Sequence, residues 1–244
     1  MNALCLITFR PNKIWCDFLQ SFSKYNVFII VDDNAMDVAD FEKEYTNITF
    51  LKIQDEKCIQ TGYINTSYIT LKKRATGWDK ALYYFGVENT TFEFIWFIED
   101  DVFFYNEDTL LQIDNNYNKD DLLSAKYIEN KESDKKWGHW NKIDILDYTS
   151  PFYRGMMCVV RFSKMMMTHI NEYAAKHKTL FFLEVLFPTL AIKKEAIYSS
   201  PKEYENVHWR YTFTRKDIIA THLYHPVKKM DDHILFRSFL NGKT

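Results

Sequence analysis

An α/β layered fold, with a mostly parallel central sheet flanked by helices, is predicted from two observations. Apolar runs short enough for strands alternate with stretches of helical periodicity through the first hundred residues. One of these runs, Phe92–Ile98, is apolar and aromatic in the manner of a strand covered on both faces by helices.

Taken in order, Ala3–Phe9 reads as the first strand, stopped by Arg10-Pro11-Asn12. Lys13–Phe22 follows with Ile14, Phe18, Leu19 and Phe22 at helical spacing. Val27–Val31 is a β-branched run ended by Asp32-Asp33-Asn34, and a short helix through Phe41 leads to a strand at Ile48–Ile53. Residues 70–86 predict a helix with Leu71, Ala75, Trp78, Leu82 and Phe85 near one face, which delivers the chain to Phe92–Ile98. The second half predicts strands at Leu122–Ile128 and Met156–Arg161, separated by a polar segment, 129–149, that holds Trp137-Gly138-His139-Trp140. Ser163 is placed to cap a helix through Met166, Ile170 and Tyr173. A further helix spans Leu180–Ile192, and the remainder reads as short strands with an extended tail.

Size and composition narrow the class. With 244 residues, 47% hydrophobic and 17% aromatic, the chain can bury one substantial core and is expected to form a single domain. Lys plus Arg number 31 against 33 Asp plus Glu, a formal net charge of -2, so there is no overall field to attract nucleic acid and no such partner is expected. Cys5, Cys16, Cys58 and Cys158 show no C-x-x-C spacing, which argues against a zinc knuckle or a disulfide framework and fits a reducing compartment. Met1–Phe9 lacks a basic leading region, and no run approaches the ~20 apolar residues of a membrane helix. A cytoplasmic location with no transmembrane segment is therefore expected. Neither G-x-x-x-x-G-K-[ST] nor G-x-G-x-x-G occurs among only 6 glycines.

The most informative stretch is Phe94-Ile95-Trp96-Phe97-Ile98-Glu99-Asp100-Asp101-Val102-Phe103-Phe104. It sets three carboxylates at the carboxyl end of an apolar strand, where open α/β sheets bind ligands. Alternation along the strand lets Glu99 and Asp101 converge while Asp100 turns away. Two converging carboxylates make a hard-oxygen site suited to Mg or Mn, ions that bridge protein oxygens to a diphosphate. The competing reading is a solvated acidic turn that leads into a helix at Asn106-Glu107-Asp108.

This stretch resembles the D-x-D-type motif of GT-A glycosyltransferases, in an E-D-D form, and lies about as far into the chain as in that fold. The resemblance implies a GT-A domain over 1–244, with a nucleotide-binding half (1–105) and an acceptor-side half (106–244). It implies Asp101 as principal ligand of Mn or Mg, Glu99 as its partner and Asp100 beside the nucleotide. Thr221-His222-Leu223-Tyr224-His225-Pro226-Val227-Lys228 resembles the C-terminal element that supplies a histidine to the metal and a basic residue to the diphosphate. His222 is the ligand chosen, His225 the alternate, and Lys228 the diphosphate contact; residues 221–230 must then fold back over the strand ends. Leu180–Leu190 carries a single carboxylate, Glu184, in an apolar run, where an unpaired charge is costly. The resemblance makes Glu184 the catalytic carboxylate beneath the acceptor, the general base in inverting members, while the residues alone allow a core ion pair with Arg154 or Arg161 nearly as well. It also places Thr8, Arg10, Asp32 and Asp33, at the ends of the first two strands, and Arg74 and Asp79, on the helix before the acidic strand, against the nucleotide.

Small viral and algal GT-A proteins, those of chlorella-virus type, are the nearest in style. The expected activity is a hexosyltransferase that moves a sugar from a UDP- or GDP-linked donor to a glycan or other hydroxyl, in the host cytoplasm if viral. Two alternatives come from other classes. A sugar-nucleotide nucleotidylyltransferase would carry a glycine-rich basic loop after the first strand, yet Thr8-Phe9-Arg10-Pro11-Asn12-Lys13 has no glycine. A non-catalytic carbohydrate-binding protein would use Trp137, Trp140 and Trp209 as stacking platforms.

Overall fold

Four parallel strands carry the first hundred residues in the computed structural model, which describes residues 1–130 and 137–242. They are β1 (Asn2–Thr8), β2 (Tyr25–Val31), β3 (Ile48–Leu51) and β4 (Phe94–Glu99), with β1 paired to both β2 and β4 and β3 to β2. Side chains alternate between two cores. Ala3, Cys5 and Ile7 of β1 and Ile95 and Phe97 of β4 face one; Leu4, Leu6, Trp96 and Ile98 face the other. Burial on both faces is why these strands read as almost unbroken apolar runs.

The intervening helices are α1 (Lys13–Leu19), α2 (Ala39–Glu44), α3 (Asp55–Thr61) and α4 (Gly77–Tyr83), the last continuing as a π-helical turn over Tyr84–Glu88. After α5 (Glu107–Asn116) come β5 (Leu122–Glu129), β6 (Tyr153–Ser163), α6 (Lys164–His177), α7 (Leu183–Lys193) and β7 (Tyr198–Ser199). Strand β6 lies antiparallel between β4 and β5, so the sheet runs β3-β2-β1-β4-β6-β5-β7 and remains mostly parallel. A parallel pair, β8 (Asn206–Val207) and β9 (Tyr224–His225), and a closing helix, α8 (Met230–Asn241), complete the chain.

Three elements differ from expectation. The helix expected over 70–86 starts only at Gly77: the Asn65 side chain accepts the backbone N–H groups of Lys72 and Lys73, and Lys73 has a φ of 51°. Asp79 then starts the helix afresh by accepting from the backbone N–H and hydroxyl of Thr76. Helix α3 was not foreseen. The expected extended tail is instead α8, whose buried His233, Phe236 and Leu240 make a helical stripe against Phe103 and Tyr224.

Beneath the sheet, the fully buried Arg161 donates to the Asp114 carboxylate at 3.0 Å and to the carbonyls of Tyr117 and Asp120 at 2.6 and 2.8 Å. This network fastens α5 to β6 and commits Arg161 far from any role beside Glu184. Two residues on, at the end of β6, Ser163 caps α6 as expected, accepting from the Met166 N–H at 3.1 Å while donating to Asp121 at 2.6 Å. Ser163→Ala should therefore cost about 1–2 kcal/mol, read as a lowered urea midpoint with unchanged slope. A midpoint equal to that of the native chain would deny the cap its part.

Candidate active site

Strand β4 ends in a turn, closed by the Val102 N–H on the Glu99 carbonyl at 3.0 Å. Its carbonyls are held from two sides: the Trp15 indole N–H reaches that of Asp100 at 2.9 Å, and the Val227 N–H reaches that of Asp101 at 2.7 Å. Phe103 and Tyr224 exchange backbone hydrogen bonds of 2.8 and 2.9 Å, laying the C-terminal strap alongside the turn. Residues 102–104 are fully buried, which forces the preceding carboxylates to the strand-end surface.

Each acid has a different partner. The Trp78 indole donates to Glu99 Oε1 at 2.6 Å, Thr8 Oγ1 donates to Asp100, and His225 Nε2 lies 3.3 Å from Asp101 Oδ1. Ligand atoms of Glu99, Asp101 and His225 all lie within 4.8 Å of one another. His225 donates from Nδ1 to the His208 carbonyl at 2.7 Å. That bond selects the tautomer in which the neutral ring offers its Nε2 lone pair toward the acids. Burial pushes the Glu99 carboxyl up, and the Asp101 charge adds to the push. Burial works against a charge on His225, but its hydrogen bond to Asp101 and the negative charges of Asp101 and Glu99 raise it above the usual imidazole value. Two carboxylate oxygens and one imidazole nitrogen form a donor set that could hold a divalent cation.

Among the described residues the histidine in this group is His225, the alternate, and His222 lies outside it. His222 precedes β9, with Nε2 3.2 Å from Glu205 and Nδ1 3.0 Å from the Thr221 hydroxyl. Pairing of β9 with β8 sets Val207 opposite His225 and so brings the His208 carbonyl to its ring. Lys228 is exposed on the strap just beyond Pro226.

Thr8, Asp32 and residues 99–101 line a cleft of about 320 Å³ together with Thr76, Gly77 and Trp78. A Cβ on Gly77 would come 2.8 Å from the Ile7 side chain, so this glycine allows α4 to start hard against β1. Asp32 pairs at 2.8 Å with the buried Lys80, which also reaches Asp55 at 3.0 Å. Arg10 and Asp33 pair with each other at 2.7 Å, while Arg74 is exposed and neither pair member lines the cleft. Asp79 does not line the cleft. It is fully buried and accepts from the Thr66 and Thr76 N–H groups, and burial pushes its carboxyl up to about 7 against those hydrogen bonds.

Glu184 stands in the first turn of α7. Burial lifts its carboxyl to about 7, the Glu99 charge adds to this, and Arg154 and His225 oppose it. These interactions place Glu184 in the same electrostatic neighbourhood as the acid–histidine group. Arg154 rather than Arg161 is its basic neighbour, and the Arg154 guanidinium lies 5.0 Å over the Trp137 ring, which itself stacks on Phe182 at 6.4 Å. Trp78, Lys80 and His208 were not singled out as site residues. Trp78 is read from sequence only as part of a helix face, and no local pattern marks Lys80 or a histidine that acts through its carbonyl.

No protein-family model matches the chain, and no curated protein matches it. Solved structures do match in fold. An active-site mutant of LgtC, a galactosyltransferase, has 9% identity and a TM-score of 0.50, covering 99% of this chain and 96% of its own. Mouse xyloside xylosyltransferase 1, in its apo form, has 11% identity and a TM-score of 0.47, covering 92% and 97%. A 4-diphosphocytidyl-2C-methyl-D-erythritol synthase from Anaerococcus prevotii has 10% identity and a TM-score of 0.45, covering 98% and 95%. At these identities the likeness concerns architecture, and the architecture is the expected GT-A α/β fold.

Proposed function

We propose that the chain is a metal-dependent glycosyltransferase, working as a single domain on a nucleotide-sugar donor and a hydroxyl acceptor. The observation that carries this reading is the meeting of Glu99, Asp101 and His225, from β4, its turn and β9, with Glu184 of α7 coupled electrostatically to them. Glu99, Asp101 and His225 would hold Mn or Mg, which when bound neutralises charge on the donor diphosphate.

The chain's own groups supply the rest. Thr8 and Asp32 border the cleft that takes the UDP or GDP part, while Lys228 on the strap adds positive charge for the diphosphate. Glu184, with a carboxyl near neutrality, is suited to accept the proton of the acceptor hydroxyl. The acceptor oxygen bonds to the anomeric carbon as the bond from that carbon to the diphosphate oxygen breaks. The electron pair leaves with the nucleoside diphosphate, and the proton remains on Glu184. Arg154 stabilises the Glu184 carboxylate before transfer.

A thermal-shift panel of nucleoside diphosphates, with and without Mn, tests this directly, because a ligand of the folded state raises its melting temperature by mass action. UDP or GDP with Mn should stabilise the chain more than either component alone; no shift at saturating ligand would remove the reading. Within that assay, His225→Ala should weaken Mn-dependent nucleotide affinity at least about tenfold, whereas His222→Ala should leave it nearly unchanged. The reverse order would return the ligand role to His222.

A further inference from the structure

Strands β8 and β9 run parallel and end together at Val207 and His225, just before the His208 carbonyl that meets the His225 ring. Between them lies a cavity of about 680 Å³, walled by residues 209–213 on one side and 226–229 on the other. Its volume falls within the ~300–1,000 Å³ of small-molecule sites. It begins one residue beyond His225, yet it shares no lining residue with the cleft that contains Thr8, Asp32 and the three acids. The base of the cavity is apolar, with Phe213, Val227 and Phe236 all buried.

The rim has a different chemistry. Trp209 and Tyr211 are 70% and 52% exposed, an unusual outlay of aromatic surface for two residues so close in sequence. Arg210 and Lys229 are exposed beside them, and neither has an ion-pair partner among the described residues. Asp232 is the one carboxylate in the lining. Aromatic faces suit the C–H faces of a sugar ring, while unpaired guanidinium and ammonium groups suit a fixed anion.

We infer that this cavity is a saccharide subsite outside the cleft and that it selects an anionic sugar, with Trp209 and Tyr211 packing on the ring and Arg210 and Lys229 receiving its carboxylate or phosphate. The binding it describes needs neither the metal group nor Glu184, none of which lines the cavity. Lys228 lines the cavity as well, so the cavity opens beside the donor diphosphate to which that lysine is assigned, and Arg210 and Lys229 are the cations left for the saccharide.

Methyl glucoside, methyl glucuronide and glucose 6-phosphate, titrated into the ¹⁵N-labelled chain, test it, with the Trp209 indole resonance assigned through Trp209→Phe. At least one of the charged probes should move that resonance and bind about tenfold or more tightly than the glucoside, the scale of a charge-assisted hydrogen bond. Comparing the two charged probes tells a carboxylate ligand from a phosphorylated one. The double variant Arg210→Gln/Lys229→Gln, altering only exposed side chains, should bring the charged probe down to the glucoside. Asp101→Ala should retain saccharide binding while losing Mn-dependent nucleotide binding, so the two readings fail separately. Equal affinity for all three probes, or no movement of Trp209, would overturn the proposal. So would a Trp209 shift caused by nucleoside diphosphate with Mn and abolished in the double variant, which would give the cavity to the donor.

Discussion

Asp101→Ala is expected to abolish Mn-dependent nucleotide binding, by about a hundredfold or more, while leaving the chain folded. Among the described residues the side chain makes one close polar contact, with His225 at 3.3 Å, whereas the structural tie at this position is its backbone carbonyl on the Val227 N–H. Alanine preserves the carbonyl and removes a carboxylate that raises the energy of charged Glu99. Stability should therefore change little, and the loss should appear in binding. Calorimetric titration of UDP and GDP with and without Mn, beside a urea melt, separates the two quantities. A folded variant with native metal-dependent affinity would exclude Asp101 as a ligand.

Glu184→Gln is expected to lower kcat by about 10²–10⁴-fold with donor affinity almost unchanged, because a base acts in the chemical step. Its pH dependence has a definite sign. The carboxyl is lifted to about 7, so the competent carboxylate form is lost as pH falls through that value, and kcat of the native chain should rise with pH and level off above it. The glutamine variant should lack this limb. Glutamine also removes a charge from a largely buried position, so folding should survive. Failure to fold would mark Glu184 as a structural partner of Arg154, and native turnover would end its candidacy as base.

How far such a site can be read from sequence depends on which forces are local. Strands β1, β2 and β4 announce themselves because burial on both faces leaves little room for polar residues. The acidic end of β4 is legible for a related reason, since three carboxylates between apolar runs have few places to go. Their convergence, however, comes from a turn closed by the Val102 N–H, where strand alternation alone was the expectation. His222 and His225 lie in one short segment, and only the pairing of β9 with β8, seventeen residues apart at His208 and His225, decides between them. Asp79 looked like a nucleotide contact because its charge was visible and its three backbone and hydroxyl donors were not. Helix α8 was missed although Phe236 and Leu240 have helical spacing, because its partner surface on Phe103 and Tyr224 forms only after the strap has folded back.

The strap joins the acidic turn through peptide groups: Tyr224 with Phe103 in both directions, and Val227 to Asp101. Any residue with an N–H can make such bonds, proline alone being excluded from the donor positions. The placement of His225 over Asp101 is thus governed by chain length, by the count of residues between β8 and β9 and between the turn and the strap, more than by the identity of those residues. Point changes along the strap leave its alignment intact, whereas adding or removing a single residue shifts every side chain in it by one place and hands the position of His225 to a neighbour.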